Sequence, residues 1–170
     1  VLFRSMILPY KQIDESLDMI MNGKAAMVIP YDQTVLFLSE EQTVASLRAD
    51  SILEHLQLHS ASYRRWLGRP SCGGLFFVNR EVYLKCGGEN EHFYGWGPED
   101  AERVRRMEIL GYPVGVNTEG PLYHLWHPRG DNSRFFNRQL ASNSRLELIR
   151  ICNMDTKELT DDVASWRNRK

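Results

Sequence analysis

Three groups of residues in this chain have types and spacings that could do chemistry, and all lie between residues 72 and 127. The first is Cys72-Gly73-Gly74 ahead of an apolar run. Two adjacent glycines let backbone approach a ligand closely or take a positive φ; the same residues also suit an ordinary loop before a strand. The second is Phe93-Tyr94-Gly95-Trp96-Gly97-Pro98-Glu99-Asp100, a loop of aromatics and glycines that delivers two adjacent carboxylates to a helix start. Backbone N–H groups and the helix dipole favour an anion there, so such a carboxylate can serve as a general base. Acids in a first turn are also good capping chemistry. Trp96, between two glycines, offers a face on which the C–H side of a sugar could stack. The third is His124-Leu125-Trp126-His127. Imidazole suits divalent Mn, Zn, Fe or Ni. In a straight strand residues i and i+3 point to opposite faces, so both histidines reach one ion only if the chain turns between them. Pro128 keeps His127 extended, which makes His127 the first candidate ligand and His124 the second.

The elements that must position these groups follow from the periodicity. Ile13, Leu17, Ile20 and Met21 share a helix face, with Gly23 at the carboxyl cap. Residues 25–31 form an apolar run of strand length, the kind expected when both faces of a strand are covered. Residues 35–38 read as a second strand. Ser39 and Gln42 form a capping box for a helix running into the fifties. Residues 75–78 read as a strand, and Asn79 caps a short helix that ends near Gly87-Gly88. Residues 98–110 make the clearest helix, with Ala101, Val104, Met107 and Leu110 as its stripe and Glu99–Arg103 and Glu102–Arg106 as i, i+4 pairs. Strands over 112–116 and 122–126 follow, then a helix over 133–151. A last helix is capped by Asp155 with Glu158, its Leu159, Val163 and Trp166 on one face. There is no repeat or linker, so residues 6–170 read as one α/β domain.

Composition narrows the function. The chain has 170 residues, 42% hydrophobic and 25% charged, enough apolar surface for a folded core. Twenty-one Lys and Arg against 22 Asp and Glu give a net charge of -1, which points away from nucleic acid. Three scattered cysteines form no C-x-x-C pair and read as free thiols of a reducing compartment. No apolar stretch approaches the roughly 20 residues of a membrane span, and no signal peptide is visible. Residues 1–5 read as a non-native leader: they are apolar at once, lack an initiator methionine, and back-translate to the tail of a sequencing adapter.

The order Gly73-Gly74, then Trp96-Gly97-Pro98-Glu99-Asp100, then His124-Leu125-Trp126-His127 resembles the carboxyl-terminal catalytic half of glycosyltransferases with the GT-A fold. The resemblance extends over residues 71–132 and is to the β-1,4-galactosyltransferase carboxyl-terminal domain and to bacterial family 2 enzymes of the chondroitin-polymerase type. It implies a partial three-layer α/β/α sandwich with a mixed sheet, lacking the amino-terminal nucleotide-binding strands and their D-x-D motif. On this chain the family's W-G-G-E-D pattern falls on residues 96–100, with Pro98 in place of the second glycine. Asp100 then takes the place of the general base. Glu99, Trp96, Gly97, Tyr94, Gly73 and Gly74 take those of substrate-binding residues.

His127 matches the family's metal ligand, and His124 stands where the galactosyltransferases have methionine. The implied cofactor is a divalent ion, Mn²⁺ first and Mg²⁺ second. The implied reaction is inverting transfer from a nucleotide-diphosphate sugar, a UDP-sugar by the likeness, to a saccharide hydroxyl in polysaccharide biosynthesis. A chain without D-x-D is expected to be inactive alone. A bacterial, cytoplasmic setting, at the inner face of the membrane, and self-association through an exposed sheet edge are further expectations. The alternative is a non-catalytic carbohydrate-binding or scaffold domain. A metal-dependent hydrolase would need a further ligand cluster that the sequence does not show.

Overall fold

The computed structural model describes residues 5–66, 68–94, 97–128 and 137–167, as a mixed α/β fold. In chain order the elements are β1 (Met6–Ile7), α1 (Tyr10–Met21), β2 (Met27–Ile29), β3 (Val35–Phe37), α2 (Glu40–Arg48), α3 (Ile52–Leu58), a 3₁₀ turn (Ser60–Ser62), β4 (Arg64–Arg65), β5 (Phe77–Val78), α4 (Arg80–Lys85), α5 (Glu99–Ile109), β6 (Val114–Val116), β7 (Leu122–His124), α6 (Arg138–Cys152) and α7 (Thr156–Arg167). The strands form a four-stranded sheet in the order β1-β7-β3-β4 and a three-stranded sheet in the order β5-β2-β6. In the first, β7 runs antiparallel to β1 and parallel to β3, and β3 runs antiparallel to β4, so the sheet is mixed, as the resemblance implies. The apolar run at 25–31 is buried throughout around β2.

Two local signals act as read and one does not. Ser39 accepts from the Gln42 N–H at 3.2 Å while the Ser39 N–H donates to Gln42 Oε1 at 2.8 Å, the reciprocal capping box. Asn79 Oδ1 accepts from the Glu81 and Val82 N–H groups at the head of α4. The helix expected to run into the fifties instead stops at Ala49, which is extended, and α3 restarts at Ile52 behind Ser51, whose hydroxyl accepts from the Glu54 N–H. A second good N-cap so close to the first helix offers the backbone an alternative to continuing. The expected helix over 133–151 is present from Arg138; residues 133–136 lie outside the described residues, as does Trp96.

The chain divides into two compact units, 1–22 with 28–77 and 116–128, and 23–27 with 78–115 and 129–170. In the first unit, one face of the four-stranded sheet builds the core: Leu38, Leu56, Tyr63, Tyr123 and Leu125, with Ile7, Leu36 and Ile52 against them. Gln12 is buried and hands its side-chain N–H groups to the carbonyls of Pro30 and Gly120, which ties α1 to the loops beside it. The outer edge strand β4 is two residues long and both are exposed arginines, features that discourage pairing with another chain at that edge.

In the second unit, Ile151, Leu159 and Val163 form a core with Ile109, Leu110, Met154 and Trp166. Asp155 caps α7 as expected, exchanging bonds of 2.8 and 2.9 Å with Glu158. The buried stripe of α5 differs from the apolar one expected: besides Met107 it carries Glu102, Arg103 and Arg106. Arg106 is fully buried and donates to Glu102 at 2.8 Å and to the carbonyls of Cys86 and Gly88. It thereby satisfies the end of α4, where Gly87 takes φ +93° and a Cβ would stand 2.9 Å from Trp166 and Val163.

Glu147 on α6 is a strongly perturbed carboxylate of the second unit. Burial works to raise its pKa, but hydrogen bonds from Arg150, Asn90 and His92 outweigh it and leave the group at about 2. Its pKa is depressed relative to the ordinary 4.5, so the stability it contributes is complete above about pH 4.5 and is lost as pH falls toward 2. Glu147→Gln should flatten that part of the acid-unfolding curve when the midpoint in urea is followed against pH. An unchanged acid limb would show that the three donors do not hold the charge.

Candidate functional site

The three groups that the sequence singles out fall into two sets, and each is assembled inside one unit. In the second unit, Pro98 opens α5, and its carbonyl accepts from the Glu102 N–H at 3.0 Å. Glu99 and Asp100 therefore stand in the first turn, at the positive end of the dipole. Arg103, expected to pair with Glu99, instead donates through Nη1 to Asp100 Oδ1 at 2.7 Å. Its other donors, Nε and Nη2, grip both oxygens of Glu89 at 2.8 and 2.7 Å. Tyr83 OH adds a bond of 2.6 Å to Glu89.

The Arg103 side chain is only 6% exposed, so this line of groups is held in a partly dry setting. Burial works to raise the Glu89 pKa, yet the bonds from Arg103 and Tyr83 keep it below the usual range. Burial together with the Glu89 bond pushes Tyr83 up to about 12.

Glu99 has a different environment. Burial pushes its carboxyl up, with the backbone N–H groups of Glu99 and Gly97 opposing, and among the described residues its buried Oε2 has no hydrogen-bond donor. A buried acceptor left so is costly and calls for an incoming N–H or O–H. Gly97 sits against α6: a Cβ there would lie 3.3 Å from the Ser144 side chain and 3.4 Å from Glu99 Oε2. Tyr94 is 68% exposed. Glu89 also lines a cavity of about 750 Å³ with Lys85, Asn90, Glu91, His92 and Trp166.

In the first unit, the face of the four-stranded sheet opposite the core collects the other two motifs. Met6, Phe37 and His124 are register partners across β1, β3 and β7, and Arg64 is paired with Phe37, so the four stand in one row. The Phe37 ring meets the His124 ring edge-on at 4.2 Å and stacks on Trp66 at 4.5 Å. Gly74, at φ +98°, lies over this face: a Cβ there would be 3.1 Å from Leu122 and 3.5 Å from Met6. The neighbouring Gly73 carbonyl accepts from Tyr31 OH. Gly74 therefore does serve a close approach, against the sheet.

β7 ends at His124, and the chain turns so that His127 Nε2 comes within 3.3 Å of His124 Nε2. That is the turn the i, i+3 spacing requires. A carbonyl can only accept, so the 3.0 Å contact of His127 Nδ1 with the Pro128 carbonyl puts the proton on Nδ1 and leaves Nε2 the lone pair of the neutral ring. Two nitrogens each about 2.1 Å from one ion lie roughly 3.0–3.4 Å apart in octahedral or tetrahedral coordination, and the histidine pair fits that spacing. Among the described residues no group of three or more His, Cys, Asp or Glu is placed to hold a metal, so the pair is a partial ligand set.

Sequence reasoning did not single out Glu89, Tyr83, Arg64, Phe37, Trp66 or Tyr31. Tyr83 bonds Glu89 six residues on, while each of the others gains its place from a partner fourteen or more residues away, a relation that spacing does not display.

Residues 54–128 match the family described as the N-terminal domain of galactosyltransferase. That stretch contains every residue of both sites named above except Met6, Tyr31, Phe37, Ser144 and Trp166. The chain is 34% identical over 61 residues to beta-1,4-galactosyltransferase 7 of Mus musculus and equally to that of Homo sapiens, covering 33% of this chain and 19% of each relative. It is 28% identical over 82 residues to beta-1,4-galactosyltransferase 7 of Drosophila melanogaster, covering 43% of this chain and 26% of the relative. The chain thus spans about a fifth to a quarter of the length of the curated relatives it matches. No solved structure matches it. Among the described residues no helix is long and apolar enough to cross a membrane.

Proposed function

We propose that this chain carries the base and part of the metal site of an inverting glycosyltransferase of GT-A type, moving a sugar from a nucleotide-diphosphate donor to a saccharide hydroxyl. The observation that carries the reading is the pair of acids heading α5: one pinned by a buried arginine, the other with a buried oxygen that calls for a donor. The stretch matched to the galactosyltransferase family supports it.

In this reading Asp100 takes the proton from the acceptor hydroxyl as that oxygen bonds to the anomeric carbon. The bond from the same carbon to the diphosphate oxygen breaks, and the nucleoside diphosphate leaves with the electron pair. Arg103 holds Oδ1, which fixes the carboxylate plane and leaves Oδ2 for the proton. Glu99 Oε2 accepts from a second acceptor hydroxyl, and the exposed Tyr94 presents a ring face to the saccharide.

His127, with His124, would hold a divalent ion, Mn²⁺ before Mg²⁺ on ligand type. When bound, that ion supplies positive charge to the departing diphosphate. UDP should bind more tightly with Mn²⁺ than with chelator present. His127→Ala should remove at least about 10–100-fold of that difference, the range seen when even an outer-shell partner of a metal ligand is lost. Calorimetric titration of both proteins checks this, and a metal effect that survives the substitution would take the ion away from His127. A carbohydrate-binding module, the other reading, would bind saccharide equally well in chelator and would not bind UDP.

A further inference from the structure

Arg64 is the charged group on the histidine-bearing sheet face that nothing above employs. Its guanidinium carbon lies 5.7 Å from the Phe37 ring centre and 5.6 Å from that of Trp66, so the two stacked rings hold it over the face. Phe37 stands between it and His124, and two strand spacings separate Arg64 from His124, about 10 Å at the backbone. The Arg64 side chain reaches the ring of Phe37 on the middle strand. Arg64 is exposed, and among the described residues no carboxylate pairs with it. Arg65 alternates to the other face and donates to Thr34. A planar cation with its long stem immobilised by aromatics loses little freedom on gripping an oxyanion. A guanidinium in the row of the His124 imidazole, with His127 beside that ring, suits a ligand with more than one negative oxygen.

We propose that Arg64 is a phosphate-binding residue, taking a phosphate oxygen of a nucleoside diphosphate that lies across the face shared by Phe37, His124 and His127. This rests on the reading of the donor as a nucleotide-diphosphate sugar and adds a residue to its binding.

The test titrates the whole chain with UDP, inorganic pyrophosphate, uridine and glucuronate, each with Mn²⁺ and with chelator, in the wild type, Arg64→Gln, Arg64→Lys and Arg65→Gln. Arg64→Gln should weaken UDP and pyrophosphate by about tenfold or more, the scale of one charge-assisted hydrogen bond, with or without the ion. Lysine should restore part of the loss, Arg65→Gln should bind as wild type, and uridine should bind alike in all four proteins. Unaltered thermal melting of Arg64→Gln shows that the fold is intact. Wild-type affinity for UDP in Arg64→Gln would overturn the proposal and leave the donor reading standing, as would a loss seen with glucuronate alone. Absence of UDP and pyrophosphate binding in the wild type would overturn the donor reading and this proposal with it.

Discussion

Asp100→Asn should lower the rate of sugar transfer by about 10²–10⁴-fold, the usual worth of a positioned general base. The isostere keeps one oxygen for the 2.7 Å bond from Arg103 and loses the site that receives the proton. Donor affinity and melting temperature should stay within error of the wild type, so the loss falls on kcat. Because the match covers only about a fifth to a quarter of each relative, the assay belongs in the full-length gene product, with donor and acceptor varied separately. Near-normal turnover would take the role from Asp100. Arg103→Lys is the companion substitution: a lysine cannot reach Asp100 and both oxygens of Glu89 together, so it should reduce kcat by less than Asp100→Asn while leaving the acceptor KM close to wild type.

The largest effect on stability should come from Arg106→Ala, at about 3–5 kcal/mol. Arg106 and Glu102 are each 1% exposed at the side chain, so removing the guanidinium strands a buried carboxylate. It also strips the carbonyls of Cys86 and Gly88 of their donor. For that reason an apolar replacement of both partners, often harmless for a buried ion pair, should remain destabilising here. Lys157→Ala, which breaks an exposed pair on α7, should leave the unfolding midpoint close to that of the wild type. Urea unfolding of the three proteins gives the comparison. A loss below about 1 kcal/mol for Arg106→Ala would mean that water replaces the guanidinium and that the α4 end is held by other means.

Local chemistry was the legible part of this chain. Capping boxes at Ser39 and Asp155, the cap at Asn79 and the buried run at 25–31 are written in adjacent residues, and each acts as its residue types require. The turn that joins His124 to His127 could be stated as a condition but not foreseen, since it depends on where β7 stops. Charge pairing was misread where two partners compete. On a bare helix Glu99 and Arg103 suit each other at i, i+4, but Glu89 offers two oxygens from outside the helix and Arg103 turns to it. The stripe of α5 was misread for the same reason, because a buried arginine that finds carbonyls to satisfy it can replace an apolar residue. Arg64 escaped notice because exposed arginines are common, and only the register of β4 on β3 lays it over Phe37.

Supplying the full-length gene product with isotopically labelled nucleotide-diphosphate sugars, saccharide acceptors and a divalent ion, and following the label by mass spectrometry, addresses the central claim most directly. The account predicts an acceptor lengthened by one labelled sugar, with one nucleoside diphosphate released for each, and neither product from Asp100→Asn. Saccharide binding that persists in chelator, with no affinity for the nucleotide and no lengthened acceptor, would contradict it.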